Sequence, residues 1–413
     1  MSGLTPEQQR ILTSQVIDEH QPGTILRDFE TLLTVIGDEG TAVSQKNQIL
    51  PMNTLVALNA QLTHPIQLGL KRPVQQSYPH IDALYLLLRA AGLGLITGAR
   101  KQQRLVLDAE SLKSWRQLNP TERYFTLLET WLLRARPDIV GHRIGGFQPP
   151  IAKWHRFFHD VAKRGGRIAG DRSVEQMLPY IPGLLAVAML ELFGFMTIEH
   201  GAPPPGKGWT IIEVQPTPWG DAMLHLLVEQ LMNIGFLWLM EEESEDRQFG
   251  ALQALFQPYF PAWRDNLQMS ALGFQDGIYI FRVALGRVWR RIAIPAQDSL
   301  DTLSDIILRA FEFDHDHLYK FDYRNRFGST TSVYHPYMDE GPCTTEVQIG
   351  EIPLHPGTSM VYVFDFGDNW QFDVQLERID PVDPAMRKAD IVESHGKAPR
   401  QYHWDDEEVD WEE

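Results

Sequence analysis

The sequence predicts an α+β multidomain protein, with helical and winged-helix modules followed by a C-terminal α+β sheet domain of grasp-like outline. Three observations predict it. Residues 1–262 alternate apolar helical stretches with pairs of short strands. Residues 278–377 run strand, strand, helix, strand and then a hairpin. That hairpin, Met360–Glu377 (MVYVFDFGDNWQFDVQLE), has the period-two alternation of a sheet with one buried face. Tyr362, Phe364 and Phe366 share one parity, continued by Trp370, Phe372, Val374 and Leu376. Asp365, Gln371, Asp373, Gln375 and Glu377 take the other.

Composition bounds the function classes. A length of 413 residues fits two to four domains, and a 43% hydrophobic content with 11 Trp and 20 Phe is ample for their cores. The net charge of −17 is uneven: residues 1–200 hold 21 Lys+Arg against 18 Asp+Glu, and residues 201–413 hold 16 against 36. This excludes a wholesale nucleic-acid coat and leaves room for a local basic face in the first half. The one cysteine, Cys343, excludes a disulfide framework within the monomer and fits a reducing cytosol. No N-terminal h-region is visible. The most apolar run, Leu184–Ile198, is short and contains Glu191, so no membrane span is expected. The sequence has no phosphate loop, nucleophile elbow, zinc-type cysteine pair or kinase motif set, and it implies no cofactor.

Taken in order, residues 1–77 read as a helical N-terminal region. Thr5-Pro6-Glu7 opens a helix, because Thr caps and Pro suits the first turn. Asp28–Ile36 and Met52–Leu62 are further helices. Residues 78–137 read as a winged-helix-like module. Helix His80–Ala91 ends at Gly92, strands Leu93–Ile96 and Arg104–Leu107 form a wing, and helices Ala109–Leu118 and Thr121–Arg136 follow. The wing tip carries Arg100, Lys101 and Arg104. The segment 138–172 is basic, and residues 134–172 as a whole hold nine Lys+Arg against three Asp. Its helix Ile151–Lys163 interleaves Lys153, Arg156 and Lys163 with Trp154, Phe157 and Phe158, and Arg164 and Arg167 follow. Basic residues interleaved with aromatics suit single-stranded nucleic acid. The competing reading is an amphipathic helix with its aromatics in a core.

Residues 173–262 repeat the pattern: an interrupted helix Val174–Phe193, strands Gly194–Ile198 and Trp209–Val214 around a Pro/Gly loop, then helix Asp221–Leu231 after Thr217-Pro218-Trp219-Gly220. Glu241–Asp246 is an acidic run, and Phe256–Trp263 reads as a linker. Residues 263–380 form the sheet domain. Strands Ile278–Leu285 and Val288–Ile294 flank Gly286-Arg287, Asp298 and Ser299 cap helix Leu300–Phe311, and Tyr319–Arg324 leads to the final hairpin. Residues 381–413 read as an acidic tail.

Three blocks of this sheet domain carry a family resemblance. They are Val288-Trp289-Arg290-Arg291-Ile292, Asp314–Phe321 (DHDHLYKF) and Tyr362–Trp370 (YVFDFGDNW). A fainter echo is Glu393–Tyr402, ESHGKAPRQY. Together they resemble the pRiA-type plasmid ORF-3-like family, some members of which are labelled TnpR-like transposon proteins. The family writes these blocks as WRRi, W-x-x-x-HL-x-x-F, YDFGD-x-W and G-x-x-P-x-x-Y. This chain departs from the pattern at Glu312-Phe313, where the family usually has Gly-Trp. It departs again at Phe372, where the family often has His. The resemblance implies a setting in mobile elements or defence, and no reaction.

The chemistry-bearing residues of this domain are Asp314, His315, Asp316, His317, Asp365 and Asp368, with Trp370 beside them. Histidines with carboxylates hold divalent metals or do acid–base work, so His315, His317, Asp365 and Asp368 form one conceivable metal set. The reading preferred from sequence is structural, with Asp oxygens closing their own turn. Arg290 and Arg291 face opposite sides of their strand: one is expected to pair with a carboxylate of the final hairpin, the other to be free for a ligand. The leading expectation is a non-catalytic binding or adaptor protein of a bacterial cytosol with a protein partner. The alternatives are a nucleic-acid-binding regulator using residues 80–172, and a metal-dependent enzyme of the terminal domain.

Overall fold

The structure is a computed structural model, and it describes residues 3–45, 47–98, 102–142, 150–163, 165–234, 248–269 and 273–402. The expected acidic run at 241–246 and the tail from residue 403 lie outside the described residues. The class is mixed α+β, and the chain divides into two compact units. The first takes in nearly all of residues 3–269 and the second nearly all of 273–402.

The first unit begins with α1 (Pro6–Ser14), whose start is a reciprocal cap. Gln8 N donates to Thr5 Oγ1 at 3.2 Å, and Thr5 N to Gln8 Oε1 at 2.9 Å. Then come α2 (Ile25–Ile36), β1 (Thr41–Ala42), α3 (Met52–Asn59), α4 (Pro79–Ala90), β2 (Gly94–Thr97) and β3 (Arg104–Leu107). The three strands form one antiparallel sheet in the order β1-β3-β2. All 12 residues of α4 are buried, as an almost wholly apolar helix requires. Of its polar members, Asp82 accepts from Gln75 Nε2 at 2.8 Å and faces His142 Nε2 at 2.7 Å.

There follow α5 (Ala109–Gln117), α6 (Pro120–Leu133), α7 (Pro150–Lys163), α8 (Arg172–Met177), α9 (Leu184–Leu192), β4 (Met196–Gly201), β5 (Thr210–Pro216) and α10 (Pro218–Ile234). Strands β4 and β5 form a separate antiparallel pair, and α4 packs against α9. Trp154, Phe157, Phe158 and Val161 of α7 are buried, so its aromatic face serves the core. The stretch expected to be a linker is core instead. Phe256, Phe260 and Trp263 are buried, and Trp263 stacks on Phe125 at 4.7 Å. The two prolines of FQPYFPAW break the helix, yet the aromatics recur at turn spacing and still meet α6. Two buried glutamates of α6 hold that chain. Glu122 accepts from the amides of Arg264 and Asp265, and Glu129 from those of Gly250, Ala251 and Leu252. Burial pushes the Glu129 carboxyl up despite these bonds.

The second unit is one seven-stranded antiparallel sheet. Its strands are β6 (Ile278–Leu285), β7 (Val288–Pro295), β8 (Tyr319–Arg324), β9 (Thr330–Tyr334), β10 (Ser359–Phe364), β11 (Trp370–Asp380) and β12 (Asp390–His395). Their order is β12-β7-β6-β11-β10-β8-β9. The two edge strands, β9 and β12, were missed. TTSVY and DIVESH are mostly polar, β12 is mostly exposed and β9 buries only Val333, so neither has the alternation of a half-buried strand. Strand β12 lies where the tail was expected to begin.

The helix Leu300–Phe311 lies against the inner face of this sheet. Its buried side, including Leu303, Ile306, Ile307 and Ala310, packs with Tyr279, Phe281, Val283, Phe321, Tyr362, Phe372 and Val374. Ser299 Oγ accepts from Thr302 N at 3.2 Å and starts the helix. Glu312 ends it at φ +60°, ψ +38°, a left-handed conformation that glycine adopts without strain. This is one of the two departures from the family pattern.

Candidate binding site

The final hairpin pairs Ser359↔Gln375 through Phe364↔Trp370, which leaves residues 365–369 as its loop. Asp365 enters the loop at φ +53° and Asn369 leaves it at φ +54°. Asp365 Oδ1 accepts from Gly367 N at 2.9 Å and lies 3.4 Å from Asp368 N, while the Asp365 carbonyl accepts from Asn369 N at 2.6 Å. Asp365 therefore closes its own turn, as an Asx side chain does. Its amide donates to Leu318 O at 3.0 Å, which ties the loop to the chain entering β8. Phe366 does not continue the buried parity of the strand; it is 44% exposed at the loop tip.

That tie brings His317 to Asp365. His317 Nε2 lies 3.4 Å from Asp365 Oδ2, 3.7 Å from Asp316 Oδ1 and 3.4 Å from the Tyr402 hydroxyl. Tyr402 donates to Asp316 Oδ2, and Gln401 Nε2 donates to Asp316 Oδ1 at 3.1 Å. Gln401 Oε1 accepts from Asp314 N at 2.5 Å. The bond to Asp316 pushes the Tyr402 phenol up to about 12, and the same bond holds the Asp316 carboxyl below its ordinary range. His317, Asp316, Asp365, Gln401 and Tyr402 thus form one polar cluster, with the exposed side chains of Phe366 and Leu318 nearby in sequence.

The other expected residues lie elsewhere. His315 Nδ1 faces Asp305 Oδ1 of the helix at 3.3 Å, away from any pairing with His317, and Asp368 is exposed. Among the described residues, no group of three or more His, Cys, Asp or Glu is placed to hold a metal ion. Trp370 is half-buried edge-on to Phe313 at 5.2 Å, and its indole N–H is buried without an acceptor.

Arg291 pairs with Glu377 of the hairpin and with Glu393. Arg290 is not free for a ligand: it is 5% exposed and donates from Nε to Ala310 O at 2.8 Å, and from Nη1 to the carbonyls of Trp289, His395 and Gly396. Its guanidinium also lies 4.9 Å from the Phe311 ring centroid. Its task is to fasten helix, β7 and the chain after β12.

Of the expected nucleic-acid contacts, Arg100, Lys101 and Arg164 lie outside the described residues. Arg104 donates to the carbonyls of Glu39 and Gly40, so it braces its own sheet. Arg156, Lys163 and Arg167 are exposed, and Lys153 is half-buried.

Reading the sequence missed Gln401 and Tyr402 as site residues, although the closing motif G-x-x-P-x-x-Y ends on Tyr402. It also missed a second polar network, inside the sheet domain. Tyr362 meets Ser304 Oγ at 2.7 Å, and Tyr319 donates to Asp301. Burial raises both phenols.

The blocks that converge on the cluster are those of one family. Residues 278–402 match the family model described as plasmid pRiA4b ORF-3-like protein. Within the matched stretch, the WRRi block supplies the fastening arginine, and the other three blocks supply the cluster. No curated protein matches the chain. A solved structure, a protein of unknown function, MM3350 from Methanosarcina mazei Go1, is similar at 22% identity with a TM-score of 0.27, over 30% of this chain and 72% of that one.

Proposed function

We propose that this chain is a non-catalytic binding or adaptor protein of a bacterial cytosol, and that it meets a protein partner through the cluster His317, Asp316, Asp365, Gln401 and Tyr402. The observation that carries the reading is the convergence of three sequence-distant family blocks on one polar cluster. Gln401, 7% exposed, and Asp365, with 13% of its side chain in solvent, brace it from within, while His317 and Asp316, with 38% and 49%, form its outer side. The members hold one another in place, the preorganisation a recognition site needs. Two exposed apolar side chains near them, Phe366 at 44% and Leu318 at 39%, supply desolvatable area. The mobile-element or defence setting is proposed from the family's name alone.

In the first unit we infer two winged-helix-like modules. The first spans residues 78–137, with α4, the β2–β3 wing, α5 and α6, and the second spans residues 173–262, with α9, the β4–β5 wing and α10. The sheet domain keeps its grasp-like outline as a proposal. In such a module the helix before the wing would read a groove. Here that helix is α4, buried along its whole length and packed on α9. A helix buried in a core offers no surface to DNA, which favours a protein scaffold. The runner-up, nucleic-acid binding, rests on the exposed cations Arg156, Lys163 and Arg167. Mobility shifts of the full chain with duplex and single-stranded oligonucleotides, at low and moderate salt, separate the two. The adaptor reading expects no binding tighter than about 1 µM, the tight end of sequence-independent association. Tighter, salt-steep binding that Arg156→Glu with Lys163→Glu abolishes would replace it.

A further inference from the structure

A chain of hydrogen bonds runs through the core of the first unit and ends on the β4–β5 hairpin. Glu191 of α9 is 8% exposed, and each of its carboxylate oxygens meets a histidine. Oε2 lies 2.6 Å from His80 Nε2 of α4, and Oε1 lies 2.9 Å from His200 Nε2 of β4. The other nitrogen of His200 faces the indole of Trp209: Trp209 Nε1 donates to His200 Nδ1 at 3.1 Å.

This last bond selects the tautomer of the neutral ring. An indole N–H only donates, so in the closed chain His200 Nδ1 is its acceptor. Nε2 of that tautomer carries the proton and donates to Glu191. A second proton would go to Nδ1 and set N–H against N–H at Trp209. The other bond, to Glu191, would gain charge and hold the imidazolium where it is. Glu191 remains a carboxylate throughout, because its two histidine bonds outweigh burial and bring its pKa down to about 2. The contact that gives is therefore the one to Trp209.

We propose that the His80–Glu191–His200–Trp209 chain is a proton-operated latch, closed while His200 is neutral and released on the Trp209 side when His200 takes up a proton. The groups around His200 are few. Glu191 comes from α9, His80 from α4, and His64, stacked on His200 at 6.1 Å, from the chain after α3. Glu199 and Glu213 are the next cross-strand pair, Arg167 bridges to Glu213 through the backbone, and Lys207 lies in the hairpin loop. His200 is the partly exposed one of the two clasping histidines, with 21% of its side chain in solvent against 4% for His80, so it has the route to a proton. What the latch holds is the outer end of the hairpin. Trp209 is buried at the start of β5, and its release would free the loop that Gly69 grips through Gly206 N and Lys207 O.

The test is hydrogen exchange of the full chain at pH 8 and pH 5.5, corrected for the intrinsic pH dependence of exchange, read on peptides covering 196–216. The wild type is expected to lose about tenfold protection there at the lower pH, the order expected for one buried hydrogen bond lost. His200→Gln is the deciding variant. Its amide oxygen accepts from Trp209 and its NH2 donates to Glu191, so the latch closes but cannot titrate. Protection that is equal at both pH values in His200→Gln, with the wild-type loss present, supports the latch. A wild type with no loss overturns it, as does an equal loss in His200→Gln. Should His200→Gln fail to fold, the indole N–H signal of Trp209, assigned with Trp209→Phe, is followed in the wild type between the same pH values. A signal that does not move overturns the proposal.

Discussion

Replacing Glu191 by glutamine removes the buried charge that His80 and His200 clasp, and the structure sets the size of the effect. Burial alone would push this carboxyl up, but hydrogen bonds from His200 and His80 outweigh burial and bring it from the ordinary 4.5 down to about 2. A carboxyl depressed on folding contributes stability that is fully present above its unfolded value. That stability is lost as pH falls through the folded one. The window here runs from about pH 4.5 to about pH 2, and at roughly 1.4 kcal/mol per pH unit it is worth about 3 kcal/mol. Glutamine keeps one acceptor for His200 and offers an N–H toward His80, whose Nδ1 has no partner and whose tautomer is thus free to switch. Glu191→Gln should therefore fold and lose about 3 kcal/mol at pH 7. The measurement is the urea midpoint of wild type and variant, followed by tryptophan fluorescence at steps from pH 7 to pH 3. The difference between the two should be flat above about pH 5 and shrink below it. A difference that stays constant down to pH 3, or one under about 1 kcal/mol at pH 7, would refute the charge argument.

Three further outcomes are expected. Glu312→Gly should stabilise the second unit by about 0.5–1 kcal/mol, because relief of left-handed strain exceeds the entropy glycine adds to the unfolded chain; a loss of stability in denaturant melts would contradict this. Trp370→Ala should cost about 2–3 kcal/mol in the same melts, below the usual range for a fully buried aromatic because Trp370 is only half-buried, and a cost under about 1 kcal/mol would mean that it packs against little. Asp365→Asn should cost about 1 kcal/mol, from the weakened turn and the lost pairing with His317, while exposed Asp368→Asn should stay within about 0.5 kcal/mol. Neither these variants nor the wild type should change melting temperature with Mg²⁺, Mn²⁺ or Zn²⁺; a wild-type rise that Asp365→Asn abolishes would reinstate a metal site.

Much of the fold was legible because local chemistry and tertiary context agree. Pro6 after Thr5, the apolar stretch Ala83–Leu88 of α4 and the alternation of residues 360–377 each name their element. Legibility failed where the deciding partner is far away in sequence. His80 and Glu191 are 111 residues apart, and nothing local to either announces the other. Strand β12 is polar because it is an edge, so pairing with β7 defines it and periodicity does not. Arg290 is the instructive miss. It shares parity with Ile292 and Ile294, both fully buried, so the alternation already placed it on the inner face. Its charge was given more weight than its parity. In the site, the His317–Asp365 pairing was visible as a set of residue types. The Tyr402 contact needed the chain to return from β12.

The most direct test of the central claim is site-specific photo-crosslinking from the exposed loop tip beside the cluster. A benzophenone side chain at Phe366 in the full chain, irradiated in cells that carry the native protein, should give a discrete protein adduct. That adduct should disappear when His317→Ala and Tyr402→Phe are introduced in a chain whose melting temperature is unchanged. The same crosslinker at Arg156 should capture no nucleic acid. An adduct that survives both substitutions, or nucleic acid captured at Arg156 with nothing at Phe366, would contradict a partner-binding role for this cluster.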